Sequence, residues 1–245
     1  MNLITFGTSH GRAEPGRACT GMLLTVGDAY YLIDCGSPTA ERMIDRGLPI
    51  PSIRAAFITH AHRDHMGCLS TVISLFFSTQ KRVDEKKRLS VWFPQADLIA
   101  PMTALMTAEH DERALRLCDF GTVEPGAFYE DENIRVEAIP TEHLRPFPSY
   151  AFVITAEGKR MLFSGDLTED FHDFPAISRE TDFDAIVCEL THFTPESALD
   201  KIRQCRTKQL IFNHVRQDRL ALIAPLKNAF PFPVEIASDG DTFFI

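Results

Sequence analysis

Apolar residues in this chain come in short runs that read as strands, each followed by a turn and often by a stretch with helical spacing. Strands are expected at Leu3–Phe6, Met22–Val26 and Tyr30–Asp34, and Pro38 leads a helix to about Arg46, where Gly47-Leu48-Pro49 stops it. A strand at Arg54–Thr59 follows, then an apolar helix from about Met66 to Phe77, a basic loop, a strand at Leu89–Phe93 and a helix over Ala108–Cys118. The second half repeats the plan. Strands are expected at Ile134–Ile139, Tyr150–Thr155, Arg160–Ser164 and Ala185–Glu189, then a helix near Pro195–Cys205, a strand at Gln209–Asn213 and a helix from Arg216. Two similar halves predict two sheets with outer helices, an α/β (α+β) architecture. No Gly/Ser/Pro linker, low-complexity tract or charge block marks a boundary, so residues 1–245 are expected to form one domain.

One segment breaks the apolar pattern in an informative way. Directly behind Ala55-Ala56-Phe57-Ile58 stands Thr59-His60-Ala61-His62-Arg63-Asp64-His65, with three imidazoles and a carboxylate within six residues. Imidazole and carboxylate hold zinc, manganese or iron in hydrolases, and a turn at a strand end can aim several such side chains into one pocket. Other candidates also fall at predicted strand ends: Asp34 after Tyr31-Leu32-Ile33, His143 after Ala138-Ile139-Pro140, Asp166 after Leu162-Phe163-Ser164-Gly165, and His214 after Ile211-Phe212-Asn213. A lone Asp or His at such a place is usually a cap or a turn residue. Four of them together with the His-rich run point to a metal centre.

Composition narrows the partners. An apolar content of 44% with 24% charged residues suits a chain that buries a sizeable core. The start Met1-Asn2-Leu3-Ile4-Thr5-Phe6-Gly7 reads as a strand and a turn and has no basic or long apolar leader, so a cytoplasmic location is expected. No apolar stretch approaches the roughly 20 residues of a membrane helix. A net charge of −9 argues against gripping an extended nucleic acid. The one basic cluster, Lys81-Arg82 with Lys86-Lys87-Arg88, is interrupted by Asp84-Glu85 and reads as a solvated loop. The six cysteines at 19, 35, 68, 118, 188 and 205 form no CxxC pair or disulfide spacing, which fits reduced, mostly buried thiols.

The succession Asp34, His60-x-His62-x-Asp64-His65, His143, Asp166, His214 resembles the metallo-β-lactamase superfamily over essentially the whole chain. The resemblance implies a four-layer αββα sandwich with two divalent metal ions between the sheets, zinc first, with manganese and iron as alternatives. It assigns His60, His62 and His143 to one ion, Asp64, His65 and His214 to the other, and Asp166 to both. Asp34 would orient the motif from behind, as carboxylates commonly do for metal-bound imidazoles. Within the superfamily, Phe6-Gly7-Thr8-Ser9, Pro15, Arg17 and Leu32-Ile33-Asp34-Cys35-Gly36 are similar to the amino-terminal signature of ribonuclease Z-type phosphodiesterases, and that loop is expected near the site mouth. Pro148-Ser149-Tyr150-Ala151-Phe152 after His143 agrees. Cys188-Glu189-Leu190-Thr191-His192 resembles that branch's His-Glu-Ala-Thr element, with Cys188 in place of its first His.

The chemistry implied is phosphodiester hydrolysis by a hydroxide bridging two ions, with Asp64 orienting it or taking its proton, and with Glu189 and His192 delivering a proton to the leaving group. Only 23 positions separate Asp166 from Glu189, too few for the arm with which ribonuclease Z grips tRNA. The expected substrate is therefore a small phosphodiester, such as a cyclic nucleotide or nucleotide-like ester, rather than a tRNA 3′ end. A carboxyl-type ester, lactone or thioester is the alternative substrate, since the same hydroxide could attack a carbonyl. The non-enzymatic alternative is a scaffold that binds a nucleotide without turnover. Every metal position is filled, however, and an idle buried cluster of charges would cost stability. Relatives of this branch make a homodimer the candidate assembly.

Overall fold

A computed structural model describes residues 1–80 and 84–245. Six strands in succession, β1 (Asn2–Gly7), β2 (Gly21–Val26), β3 (Ala29–Cys35), β4 (Ile53–Phe57), β5 (Leu89–Phe93) and β6 (Cys118–Thr122), build most of a first sheet. The next seven, β7 (Gly126–Glu130), β8 (Ile134–Thr141), β9 (Ser149–Ala156), β10 (Lys159–Phe163), β11 (Ala185–Leu190), β12 (Leu210–Val215) and β13 (Val234–Ile236), build the second. The last strand, β14 (Thr242–Phe244), returns to pair antiparallel with β1. Each sheet begins with antiparallel hairpins and ends in parallel pairs, β3-β4-β5-β6 in one and β10-β11-β12-β13 in the other.

The central strands β3, β9, β11 and β12 are apolar on both faces because both faces are covered. In β3, Tyr31 and Ile33 point between the sheets, where they meet Val136, Phe152, Ile154 and Phe163. The alternate residue Leu32 points outward to Met43, Leu69, Val72, Ile73 and Phe76. These come from α1 (Thr39–Asp45) and α2 (Leu69–Ser78) on the outside of the first sheet. The second sheet does the same, with Val153, Leu162, Ile186 and Phe212 facing Ala198 and Ile202 of α3 (Pro195–Arg203). Helix, sheet, sheet and helix thus stack in the expected αββα order. Among the described residues, no helix is long and apolar enough to cross a membrane.

Two expectations need correction. The helix expected from Met66 to Phe77 is broken at Gly67-Cys68, leaving a short turn, Arg63–Met66, within the His-rich segment, before α2 begins. The helix expected over Ala108–Cys118 lies earlier, at Ile99–Ala108, with a separate turn at Glu112–Leu115, and Cys118 opens β6 instead. The short strands β7, β13 and β14 and the edge strand β6 carried no readable period. Gly121 sits in β6 because an added Cβ would come within 2.7 Å of the Trp92 ring on β5. Of the basic cluster, Arg88 pairs with Asp119 at 2.6 Å, while Lys81 and Arg82 lie outside the described residues.

Candidate metal centre

Parallel strands that end side by side expose their carboxyl-terminal turns along one edge, and ligand sites collect there. In this chain both sheets turn that edge to the same place. Asp34 lies near the end of β3, His60 to His65 follow β4, His143 follows β8, Asp166 follows β10, Glu189 lies near the end of β11, and His214 lies near the end of β12. Asp34, Gly165 and His214 all take left-handed backbone conformations, with φ of 57°, 59° and 53°. For a non-glycine residue this costs of the order of 1 kcal/mol, so the surrounding contacts must hold it. At Gly165 only glycine fits, because a Cβ would lie 2.4 Å from the Tyr150 carbonyl oxygen.

The geometry is centred on one carboxylate oxygen. Asp166 Oδ2 lies 3.6 Å from His60 Nε2 and 3.6 Å from His143 Nε2 on one side. On the other it lies 3.4 Å from His65 Nε2 and 3.3 Å from His214 Nε2. His62 enters the first group through Nδ1, 2.9 Å from His60 Nε2 and 3.4 Å from His143 Nε2. Asp64 enters the second, 3.5 Å from His65 Nε2 and 3.8 Å from His214 Nε2. Donor atoms of His60, His62, His143 and Asp166 lie close enough to share one ion, and those of Asp64, His65 and His214 a second.

The outer ring nitrogens fix which way three of the rings face. His65 Nδ1 donates to Asp34 at 2.8 Å, His214 Nδ1 to the Ser9 carbonyl at 2.8 Å, and His143 Nδ1 to the Leu167 carbonyl at 3.3 Å. Each partner can only accept, so Nδ1 carries a proton and Nε2 is the ring atom turned towards Asp166. Asp34 is itself held by the Thr59 backbone N–H at 2.8 Å and by the Thr59 hydroxyl.

This donor set fits divalent cations. Buried His65 Nε2 has no hydrogen-bond partner. Burial pulls His60 well below the usual imidazole range and lowers His62 and His143, leaving neutral rings ready to ligate. Burial opposes charge on His65 too, but Asp166 and Asp34 outweigh it and hold that ring well above the usual range. Burial works against the Asp166 carboxylate as well. His214, His65 and His60 overcome it and keep the group well below the ordinary carboxylate range.

At the open side, His192 Nδ1 lies 2.8 Å from Glu189 Oε1 and 3.9 Å from Asp166 Oδ2. The His192 side chain is 26% exposed and that of Glu189 only 2%, so the ring stands between solvent and a buried carboxylate. Glu189 also accepts backbone N–H groups from Leu167 and Thr191 at 2.7 Å and from His192 at 3.1 Å. Burial lowers His192, but the Glu189 carboxylate outweighs it and pushes the imidazole up to about 9.

The structure therefore brings all ten candidates, Asp34, His60, His62, Asp64, His65, His143, Asp166, Glu189, His192 and His214, together around one centre. Cys35 and Cys68 lie in the apolar layer under α1 and α2. Sequence reasoning passed over Thr59, Thr191 and the Ser9 carbonyl. The two threonines look ordinary, and a backbone oxygen leaves no mark in a sequence.

The whole chain aligns with human tRNase Z, short form, at 20% identity and a TM-score of 0.80, covering 99% of that chain. It aligns comparably with the metallo-β-lactamase fold protein YhfI from Bacillus subtilis, at 18% identity and a TM-score of 0.78, over 99% of both chains. These likenesses establish the metallo-β-lactamase fold. Among curated proteins, ribonuclease Z of Methanocaldococcus jannaschii is 29% identical over 155 residues, 62% of this chain. The match spans 47% of that protein's own length. Residues 1–205 match the family model described as Anti-Pycsar protein Apyc1, and the chain belongs to that family of metallo-β-lactamase fold, ribonuclease Z-like proteins.

Proposed function

We propose that the protein is a binuclear metal-dependent phosphodiesterase acting on a small phosphodiester, such as a cyclic nucleotide. The observation that carries this reading is the position of Asp166 Oδ2 within 3.3 to 3.6 Å of four imidazole nitrogens drawn from two donor groups. His60, His62 and His143 would hold one ion, and Asp64, His65 and His214 the other. Asp166 would contact both, and Asp34 would orient His65. His and carboxylate donors together suit zinc, with manganese and iron as alternatives. When bound, a pair of divalent ions supplies an activated water at neutral pH and neutralises charge on the phosphate oxygens.

The chain's own groups do the rest. Protonated His192, held through Nδ1 by Glu189, turns its Nε2–H outward as general acid towards the departing alkoxide oxygen. Glu189 acts through His192 and is a positioning residue. Asp64 Oδ2, beside His65 and His214, orients the attacking water or accepts its proton. A small substrate is favoured over tRNA by the net charge of −9 and by the stretch from Asp166 to Glu189. That stretch folds back, with Phe171 and Phe174 buried and Asp173 accepting from the Glu142 and Thr168 backbones, so no arm extends from it.

The test is hydrolysis of bis(p-nitrophenyl) phosphate and of a cyclic nucleotide by zinc-loaded protein, beside a lactone and a thioester, with His62→Ala as the blank. Turnover of phosphodiesters that disappears in the variant supports the reading. Turnover of the carbonyl substrates alone would overturn it in favour of a carboxyl-ester hydrolase.

A further inference from the structure

We infer that Arg17 and Asp239 are positioning residues for His214, and through it for the second metal ion. The inference rests on the binuclear reading. It begins with the left-handed backbone of His214, which three contacts hold in place. The His214 carbonyl accepts the Thr191 hydroxyl at 2.5 Å, the following N–H of Val215 donates to the Thr8 carbonyl at 2.9 Å, and the ring donates to the Ser9 carbonyl at 2.8 Å. Two of the three partners, Thr8 and Ser9, lie on the loop after β1, in the opposite sheet. The direction in which His214 Nε2 points is therefore set by a loop some two hundred residues earlier in the chain.

That loop hangs from two charged side chains. The Arg17 guanidinium donates through Nη2 to the Thr8 carbonyl at 2.5 Å and to the Val215 carbonyl at 2.7 Å. It straddles the two sheets at the residues on either side of the His214–Ser9 contact, and Glu14 anchors its Nη1 at 2.6 Å. Asp239, on the turn between β13 and β14, accepts the Thr8 N–H at 2.9 Å and the Thr8 hydroxyl at 2.8 Å through Oδ1. Its Oδ2 accepts the Ala18 N–H at 2.6 Å, and the Ala18 carbonyl accepts the Ser9 N–H at 2.9 Å. Both faces of the Thr8-Ser9 dipeptide are thus fixed by ions that touch no donor of the first metal group. Asp239 also lies beyond residues 1–205, the part that the family model matches.

A planar fork can bridge two carbonyls and a carboxylate at once, whereas an ammonium cannot reproduce that geometry. Loss of the clamp should leave His60, His62 and His143 undisturbed and loosen the ring that completes the second group. Groups that orient metal-bound imidazoles typically alter metal affinity by about 10- to 100-fold.

The experiment is zinc titration of metal-free protein, wild type against Arg17→Met, Arg17→Lys and Asp239→Asn, with His214→Ala as reference and a melting curve of each metal-free form. We expect wild type to take up two equivalents. The clamp variants should keep the first and bind the second about 10- to 100-fold more weakly, as His214→Ala does more severely, with Arg17→Lys intermediate. Two unchanged equivalents in folded variants, or parallel weakening of both, would overturn the inference and leave the binuclear reading intact. A wild type that binds no second equivalent overturns both. If Arg17→Met does not fold, Arg17→Lys and Asp239→Asn decide the matter alone.

Discussion

Glu189 and His192 are joined twice, once by a side-chain bond of 2.8 Å and once by the His192 backbone N–H to the other carboxylate oxygen at 3.1 Å. The Glu189 carboxylate is itself pinned by the backbone N–H groups of Leu167, Thr191 and His192, so the imidazole is held against a fixed partner. The ring is aimed before any substrate arrives. Its remaining nitrogen is the one polar atom of the pair free to meet a leaving group.

This arrangement predicts a leaving-group signature. His192→Ala should lower kcat on a cyclic nucleotide by about 10²- to 10⁴-fold. It should lower kcat far less on bis(p-nitrophenyl) phosphate, because p-nitrophenolate departs without a proton. An equal loss on both substrates would remove His192 from proton transfer. The sign with pH follows from the raised value of about 9, set by Glu189 against the opposing effect of burial. In the metal-free fold, the pair's contribution to stability is complete below the ordinary imidazole value of 6.5 and is lost as pH rises through about 9. Bound cations would pull that upper limit down, so the alkaline limb of turnover should begin below it.

Asp34→Asn offers a clean measure of the carboxylate behind the centre. Asparagine tolerates the left-handed conformation that Asp34 adopts, so the backbone can stay as it is. The amide cannot, however, accept from both Thr59 and His65 as the carboxylate does. Zinc affinity measured against a competing chelator should fall by about 10- to 100-fold. Unchanged affinity would mean that His65 needs no such partner.

Gly36→Ala probes the fit of the His-rich turn against β3. The added Cβ would lie 2.0 Å from the Asp64 carbonyl oxygen and 2.4 Å from that of Thr20, both backbone atoms that cannot step aside alone. Thermal melting should register a loss of about 1–3 kcal/mol or more, together with weaker zinc uptake. A variant as stable as wild type would show that the turn can shift at little cost.

Most of the centre was legible because its donors cluster where apolar runs stop. His60, His62, Asp64 and His65 are adjacent in sequence, and Asp34, His143, Asp166 and His214 each close a strand that its own composition predicts. The paired sheets were legible for the same reason. Ile99–Ala108 was not. Pro101 falls in its first turn, where the missing N–H is harmless, and only Met106 along its length is buried, so no apolar stripe marks it. β6 hides behind Asp119 and Gly121, and three-residue strands such as β13 and β14 are too short to carry a period. The contacts that orient His214 and His143 go to the carbonyls of Ser9 and Leu167, which any residue could supply.

Each proposed ion would draw donors from both sheets: His60 and His62 with His143 and Asp166, and Asp64 and His65 with His214 and Asp166. The centre would then work as a pair of rivets through the seam of the sandwich, and the halves could part only after both ions had left. Amide exchange along the inner faces of β3 and β12 would accordingly keep time with metal release, tying the lifetime of the closed molecule to the supply of a cation.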